Sequence, residues 1–95
     1  MPAFLIADTN ITDPARYEEY KRRAAPLIER FGGRYAARGG AHQVLEGDWE
    51  PTRLVVLEFP DMDSLMGWYN SPEYAPVKAI RHEACNSRLI ALQGT

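Results

Sequence analysis

The chain opens on a short apolar run, Ala3 to Ala7, that continues through Asp8 and Thr9 into the polar stretch Thr9-Asn10-Ile11-Thr12. That pattern predicts a strand over residues 3–9. Asp13-Pro14 then starts a helix, with the carboxylate as cap and proline at the first helical position. Tyr17, Tyr20, Ala24, Leu27, Ile28 and Phe31 recur at helical spacing and form one apolar stripe. Glu18 and Arg22, and Glu19 and Arg23, stand four apart with the acid first, as on an exposed face. Pro26 removes a backbone donor and predicts a kink, and Gly32-Gly33 ends the helix. Arg34 to Arg38 predicts a weak strand, interrupted by Gly39-Gly40 and resumed over His42 to Glu46. A polar loop over 47–52 leads to the clearest strand, Arg53 to Phe59. Asp61 to Tyr69 predicts a short helix. Ser71-Pro72 caps another, with Tyr74, Val77, Ile80 and Ala84 on one face. After a break at Asn86-Ser87, Arg88 to Gln93 predicts the last strand.

The order strand, helix, strand, strand, helix, strand is that of an α+β, ferredoxin-like βαββαβ domain spanning residues 1–95. Right-handed crossovers put the helices on one face of a four-stranded antiparallel sheet. A strand with one wet face alternates apolar and polar residues. Ala3 to Ala7, Leu54 to Leu57 and Leu89 to Leu92 do not alternate. Both sides of the sheet are therefore apolar, and the helices cover only one. Four six-residue strands make a face of roughly 400 Å², larger than a monomer commonly leaves bare. Covering it is worth about 10 kcal/mol gross per protomer, before association costs. The chain has no spare segment for this, so a second copy is the expected cover, giving a homodimer joined through the helix-free face.

Composition narrows the function classes. Of the 95 residues, 45% are hydrophobic and 25% charged, which fits one globular domain rather than a disordered chain. No apolar run approaches the roughly 20 residues of a membrane helix. The start has no basic end followed by a long apolar core, so a cytoplasmic location is expected. With 11 basic and 13 acidic residues, no nucleic-acid footprint stands out. The clearest strand also lacks the glycine and stacking aromatics of an RNA-binding sheet. The single cysteine, Cys85, allows no internal disulfide.

Several features resemble one family: Asp13-Pro14 before Tyr17 and Tyr20, Gly32-Gly33, Arg38-Gly39-Gly40, Leu45-Glu46-Gly47-Asp48-Trp49, the strand ending Glu58-Phe59-Pro60, and Trp68 before Ser71-Pro72-Glu73-Tyr74. Together they resemble the domain of unknown function 1330 family over nearly the whole chain. The resemblance implies a dimeric α/β barrel in which the helix-free faces of two sheets meet. Relatives of that superfamily include small cofactor-independent oxygenases, decarboxylases and isomerases, beside proteins of no known activity.

Candidate chemistry is sparse. Cys85 lies near a helix C-terminus, where the dipole disfavours a thiolate; His82 is the neighbour it could pair with. Only His42 and His82 could serve as imidazole ligands, and Glu46, Asp48 and Glu50 lack the offsets of a calcium loop, so no metal is expected. The glycine pairs form no phosphate-binding motif. What remains is a pocket between helices and sheet. Asp8 and Glu58, near the ends of two strands expected to be central, are its candidate acid/base groups. Arg38 is the candidate for orienting an anionic or carbonyl oxygen. Tyr17, Tyr20, Trp68 and Tyr74 would wall the cleft. Two functions stay open: a homodimeric enzyme acting without metal or organic cofactor on an apolar, oxygenated small molecule, or a non-catalytic binding or accessory module with the same cleft.

Overall fold

The computed structural model describes residues 1–95. Its elements are β1 (Ala3–Ile11), α1 (Pro14–Arg30), β2 (Arg34–Arg38), β3 (Leu54–Phe59), α2 (Met62–Tyr69), α3 (Tyr74–Ala84) and β4 (Cys85–Gln93). The sheet order is β2-β3-β1-β4, with every neighbouring pair antiparallel. This is the ferredoxin-like arrangement. No helix is long and apolar enough to cross a membrane.

Alternation along the strands sorts the two faces. Ala3, Leu5, Ala7 and Thr9 of β1 and Val55, Leu57 and Phe59 of β3 are buried. The apolar ones among them share one core with residues of all three helices, so the helices cover a single face. The α1 stripe is the predicted one: Tyr17, Tyr20, Ala24, Leu27 and Ile28 are buried, and Phe31 packs at its edge. Asp13 caps α1 by accepting from the Arg16 N–H at 3.1 Å. Both Thr12 and Asp13 donate backbone N–H groups to the carbonyl of Ala84, which ties the start of α1 to the end of α3. On the outer face Arg23 pairs with Glu19, while Glu18 turns to Lys21 at 2.8 Å rather than to Arg22.

Helix α1 runs on through Pro26, which is exposed, so water can satisfy the carbonyl its ring leaves without a donor. Three expectations change. His42 to Glu46 is not a strand: the whole segment is exposed and pairs with no neighbour. The chain leaves β2 at Gly39, whose φ of 68° suits glycine. The irregularity in β2 comes earlier, between Tyr35 and Ala37. There is also no break at Asn86-Ser87. Strand β4 begins at Cys85 because β1 extends to Ile11 and offers Thr9, Asn10 and Ile11 as partners to Ser87, Asn86 and Cys85.

The open face carries Phe4, Ile6, Leu54 and Val56, half-buried, with Ile90 at 62% and Leu92 at 51% exposure. The molecule is a two-layer slab 17 Å thick in its Cα trace. Its accessible surface is 5930 Å², against the roughly 5,500 Å² expected of a monomer of this mass.

Candidate functional site

Between the helix layer and the sheet lies a cleft of about 460 Å³, its mouth included. Only about 40 Å³ is free for water to move in, enough for a few molecules. Leu5, Ala7, Val55, Leu57 and Leu89 form its apolar floor, and Tyr17, Tyr20, Tyr35 and Trp68 its aromatic walls. The charged residues that line it are Lys21, Arg38, Arg53 and Arg81, all cations. No carboxylate lines it.

Each wall has a local cause. Trp68 is one of two buried residues of α2, a short helix begun by Asp61, whose carboxylate accepts from the Ser64 N–H at 2.7 Å. The Trp68 indole lies 4.3 Å from the Tyr74 ring and 5.5 Å from that of Phe59, centre to centre. Ser71 joins α2 to α3: its hydroxyl donates to the Trp68 carbonyl and accepts from the Tyr74 N–H. Tyr74 is fully buried behind the cleft, and its hydroxyl meets that of Tyr20 at 2.8 Å. Burial pushes the Tyr20 and Tyr74 hydroxyls above the ordinary tyrosine value, so both stay protonated. Burial raises Tyr35 as well.

The cations are held differently. Arg53 donates to the Tyr17 hydroxyl at 3.0 Å and lies over that ring. Arg38, on the exposed edge strand β2, stacks 4.2 Å from the centre of the Tyr35 ring. Lys21 pairs with Glu18 at the rim. Arg81 is 5% exposed and donates from Nη1 to the Ser87 hydroxyl at 2.6 Å.

Of the residues expected to build the site, Tyr17, Tyr20, Trp68 and Arg38 therefore line one cleft, with Tyr74 packed directly behind it. Asp8 and Glu58 are elsewhere. They share the parity of Phe4 and Leu54, on the helix-free face, and they stand at opposite ends of the β1–β3 pair. Asp8 is opposite Leu54 and Glu58 opposite Phe4, a separation of about 13 Å along the strands. Glu58 is in an ion pair with Arg34 at 2.7 Å. Asp8 anchors the loop between β2 and β3, accepting from the Thr52 N–H at 2.9 Å and the Trp49 indole N–H at 3.2 Å.

Desolvation opposes the Asp8 charge, and the donors of Thr52, Trp49 and Arg53 outweigh it, holding the pKa below the ordinary 3.8. A depressed carboxylate value means that the anchor is intact above 3.8 and weakens as pH falls below it. Trp49 fluorescence is accordingly expected to be constant from pH 7 to about 5 and to change below pH 4, with Asp8→Asn removing that transition.

Sequence reasoning missed Arg81, Arg53, Tyr35 and Lys21. Arg81 had a signal: it is four residues after Val77 and seven after Tyr74, within the buried stripe of α3. Cys85 is buried, and its thiol donates to the Arg81 carbonyl at 3.2 Å rather than pairing with His82. Burial raises the Cys85 thiol and lowers the His82 imidazole, the latter helped by Arg81 and Lys78. Nowhere do three His, Cys, Asp or Glu side chains gather as a metal site.

Comparison with solved structures agrees with this fold. The RPA0582 protein of unknown function from Rhodopseudomonas palustris is 22% identical, with a TM-score of 0.78 over 99% of this chain and 82% of that one. SnoaB, a cofactor-independent oxygenase from Streptomyces nogalater, is 14% identical, with a TM-score of 0.67 over 99% and 93%. A conserved protein from Methanosarcina mazei Go1 is 21% identical, with a TM-score of 0.56 over 100% and 95%. At these identities the likeness is one of fold. No curated protein matches the chain. The family model described as Domain of unknown function (DUF1330) matches residues 2–95, and the chain belongs to that family.

Proposed function

We propose that the protein is a homodimer, joined through the helix-free face of its sheet, that binds an oxygenated, apolar small molecule in the helix–sheet cleft. The make-up of the cleft carries this reading: a largely hydrophobic lining whose charged groups are all cations. Such a lining suits a molecule with an apolar body and an electron-rich oxygen. Anything larger than a few waters has to push the rim side chains of Arg38, Tyr35 and Lys21 outward, and these face solvent in whole or in part.

The dimer rests on the bare face. Its six aliphatic and aromatic side chains, with Val44, Leu45 and Trp49 exposed on the neighbouring loop, form a surface that a twin copy can dry.

A second reading adds catalysis, and the fold shared with a cofactor-independent oxygenase favours it. With Asp8 and Glu58 on the opposite face and both tyrosine hydroxyls held protonated, the cleft offers no carboxylate base. Catalysis there acts by cations stabilising negative charge on a bound oxygen.

The test is a titration with small aromatic alcohols and acids, followed by the two indole N–H signals in nitrogen-15 NMR. A ligand in the cleft moves the Trp68 signal and leaves that of Trp49 in place. Arg38→Ala is expected to weaken such binding about tenfold, the worth of one charge-assisted contact at an exposed rim. Asp8→Asn and Glu58→Gln are expected to leave it within about twofold, since neither residue faces the cleft. Binding lost with Asp8→Asn but kept with Arg38→Ala would move the site to the open face.

A further inference from the structure

Arg81 is a buried cation without an anion. No carboxylate lies within ion-pairing distance of its guanidinium, whose partners are neutral: the Ser87 hydroxyl, the nearby Tyr74 hydroxyl and, at 3.5 Å from Nη2, the His82 ring. Its Nε is shut off from solvent and has no acceptor. The indole Nε1 of Trp68 is in the same condition, in a side chain 1% exposed. These two are the buried side-chain polar atoms that lack a partner, and both residues line the one cleft. Two cleft-lining residues, one of them charged, thus each keep a buried donor without an acceptor.

A buried charge with no counter-charge is costly, and so is a buried donor left unpaired. Both costs fall if the two side chains turn to an oxyanion bound in the cleft that they line. The surrounding side chains limit what carries that oxyanion. Leu5, Val55 and Leu57 beneath it repel a hydrated ion such as phosphate, and the rings of Tyr20 and Trp68 favour a flat body. The Tyr20–Tyr74 hydroxyl pair adds a neutral hydrogen-bonding edge.

We infer that the cleft is a receptor for a flat organic monoanion, with the carboxylate or enolate oxygen placed on Arg81 and Trp68 and the apolar body over the sheet. This rests on the cleft reading above and names its ligand class. Arg53 and Arg38, nearer the mouth, then act on the approach of the anion, and Arg81 on its retention.

Benzoate and its neutral isostere benzamide serve as probes, read by the Trp68 indole N–H signal and by calorimetry. Trp49→Phe assigns the two indole signals without touching the cleft. Benzoate is expected to shift the Trp68 N–H downfield and to bind at least tenfold more tightly than benzamide. Arg81→Met, which keeps the length and apolar stem, is expected to cut that preference at least fivefold and to melt no lower than the wild type, because it removes an unpaired buried charge. Equal binding of the two probes to the wild type, or an anion preference left unchanged by Arg81→Met, would overturn the inference and leave the cleft reading standing. If neither probe moves the Trp68 signal, both fall together.

Discussion

Trp68→Ala is expected to lower the unfolding free energy by about 3–5 kcal/mol, the usual cost of emptying a buried aromatic site. Helix α2 buries only Leu65 and Trp68. The indole is also where α2, α3 and β3 meet, against Tyr74 and Phe59. Its removal leaves a cavity that the short helix cannot collapse into without giving up the Ser71 junction to α3. A domain of this size has about 5–15 kcal/mol to lose, so the variant should be largely unfolded at moderate urea. Trp68→Phe should cost much less, about 1 kcal/mol, because it keeps the ring contacts and deletes the orphan N–H. Urea titrations at one fixed protomer concentration measure both, since unfolding of a dimer depends on concentration. A loss below about 1 kcal/mol in Trp68→Ala would mean that the cleft wall is not part of the core.

The second large effect concerns association. In the single chain Ile90 is 62% exposed, so Ile90→Glu should change the protomer's own stability by no more than about 0.5 kcal/mol. In the proposed dimer the same residue lies under the partner, and symmetry brings in two such carboxylates. Burying an unpaired charge costs several kcal/mol per ion. The dissociation constant should therefore rise by at least about a hundredfold, with the circular dichroism spectrum of the folded protein retained. Arg34→Ala, which frees Glu58 at the edge of the same face, tests the electrostatics there with a far smaller effect.

The architecture was legible because it follows from periodicity. The α1 stripe from Tyr17 to Ile28, the Asp13-Pro14 start and the Gly32-Gly33 stop are local signals, and tertiary packing left them intact. At Gly33 the stop also has a packing reason, since a Cβ there would sit 2.6 Å from the Phe59 ring. Where an element depends on its partner, local reading failed. Asn86-Ser87 looks like a break, yet it is strand because β1 reaches far enough to pair with it. His42 to Glu46 has strand-like residues and finds no edge to join.

The lining of the cleft was legible in most of its aromatics and in Arg38, and not in its other charges. Tyr17 and Tyr20 belong to a helical stripe whose face is unambiguous, and Trp68 and Tyr74 are large enough to demand burial. Asp8 and Glu58 hang on strand parity, where one residue of register decides between cleft and open face. Both fall on the open face. Arg81 was hidden by its type: arginine in a helix is ordinarily solvated, and only its place in the Tyr74–Val77–Ala84 stripe marks it as buried.

Light scattering of the wild-type protein at high micromolar concentration bears most directly on the claim that a second subunit dries the helix-free face. Twice the protomer mass of 10.8 kDa is expected. A mass of 10.8 kDa under those conditions would contradict it.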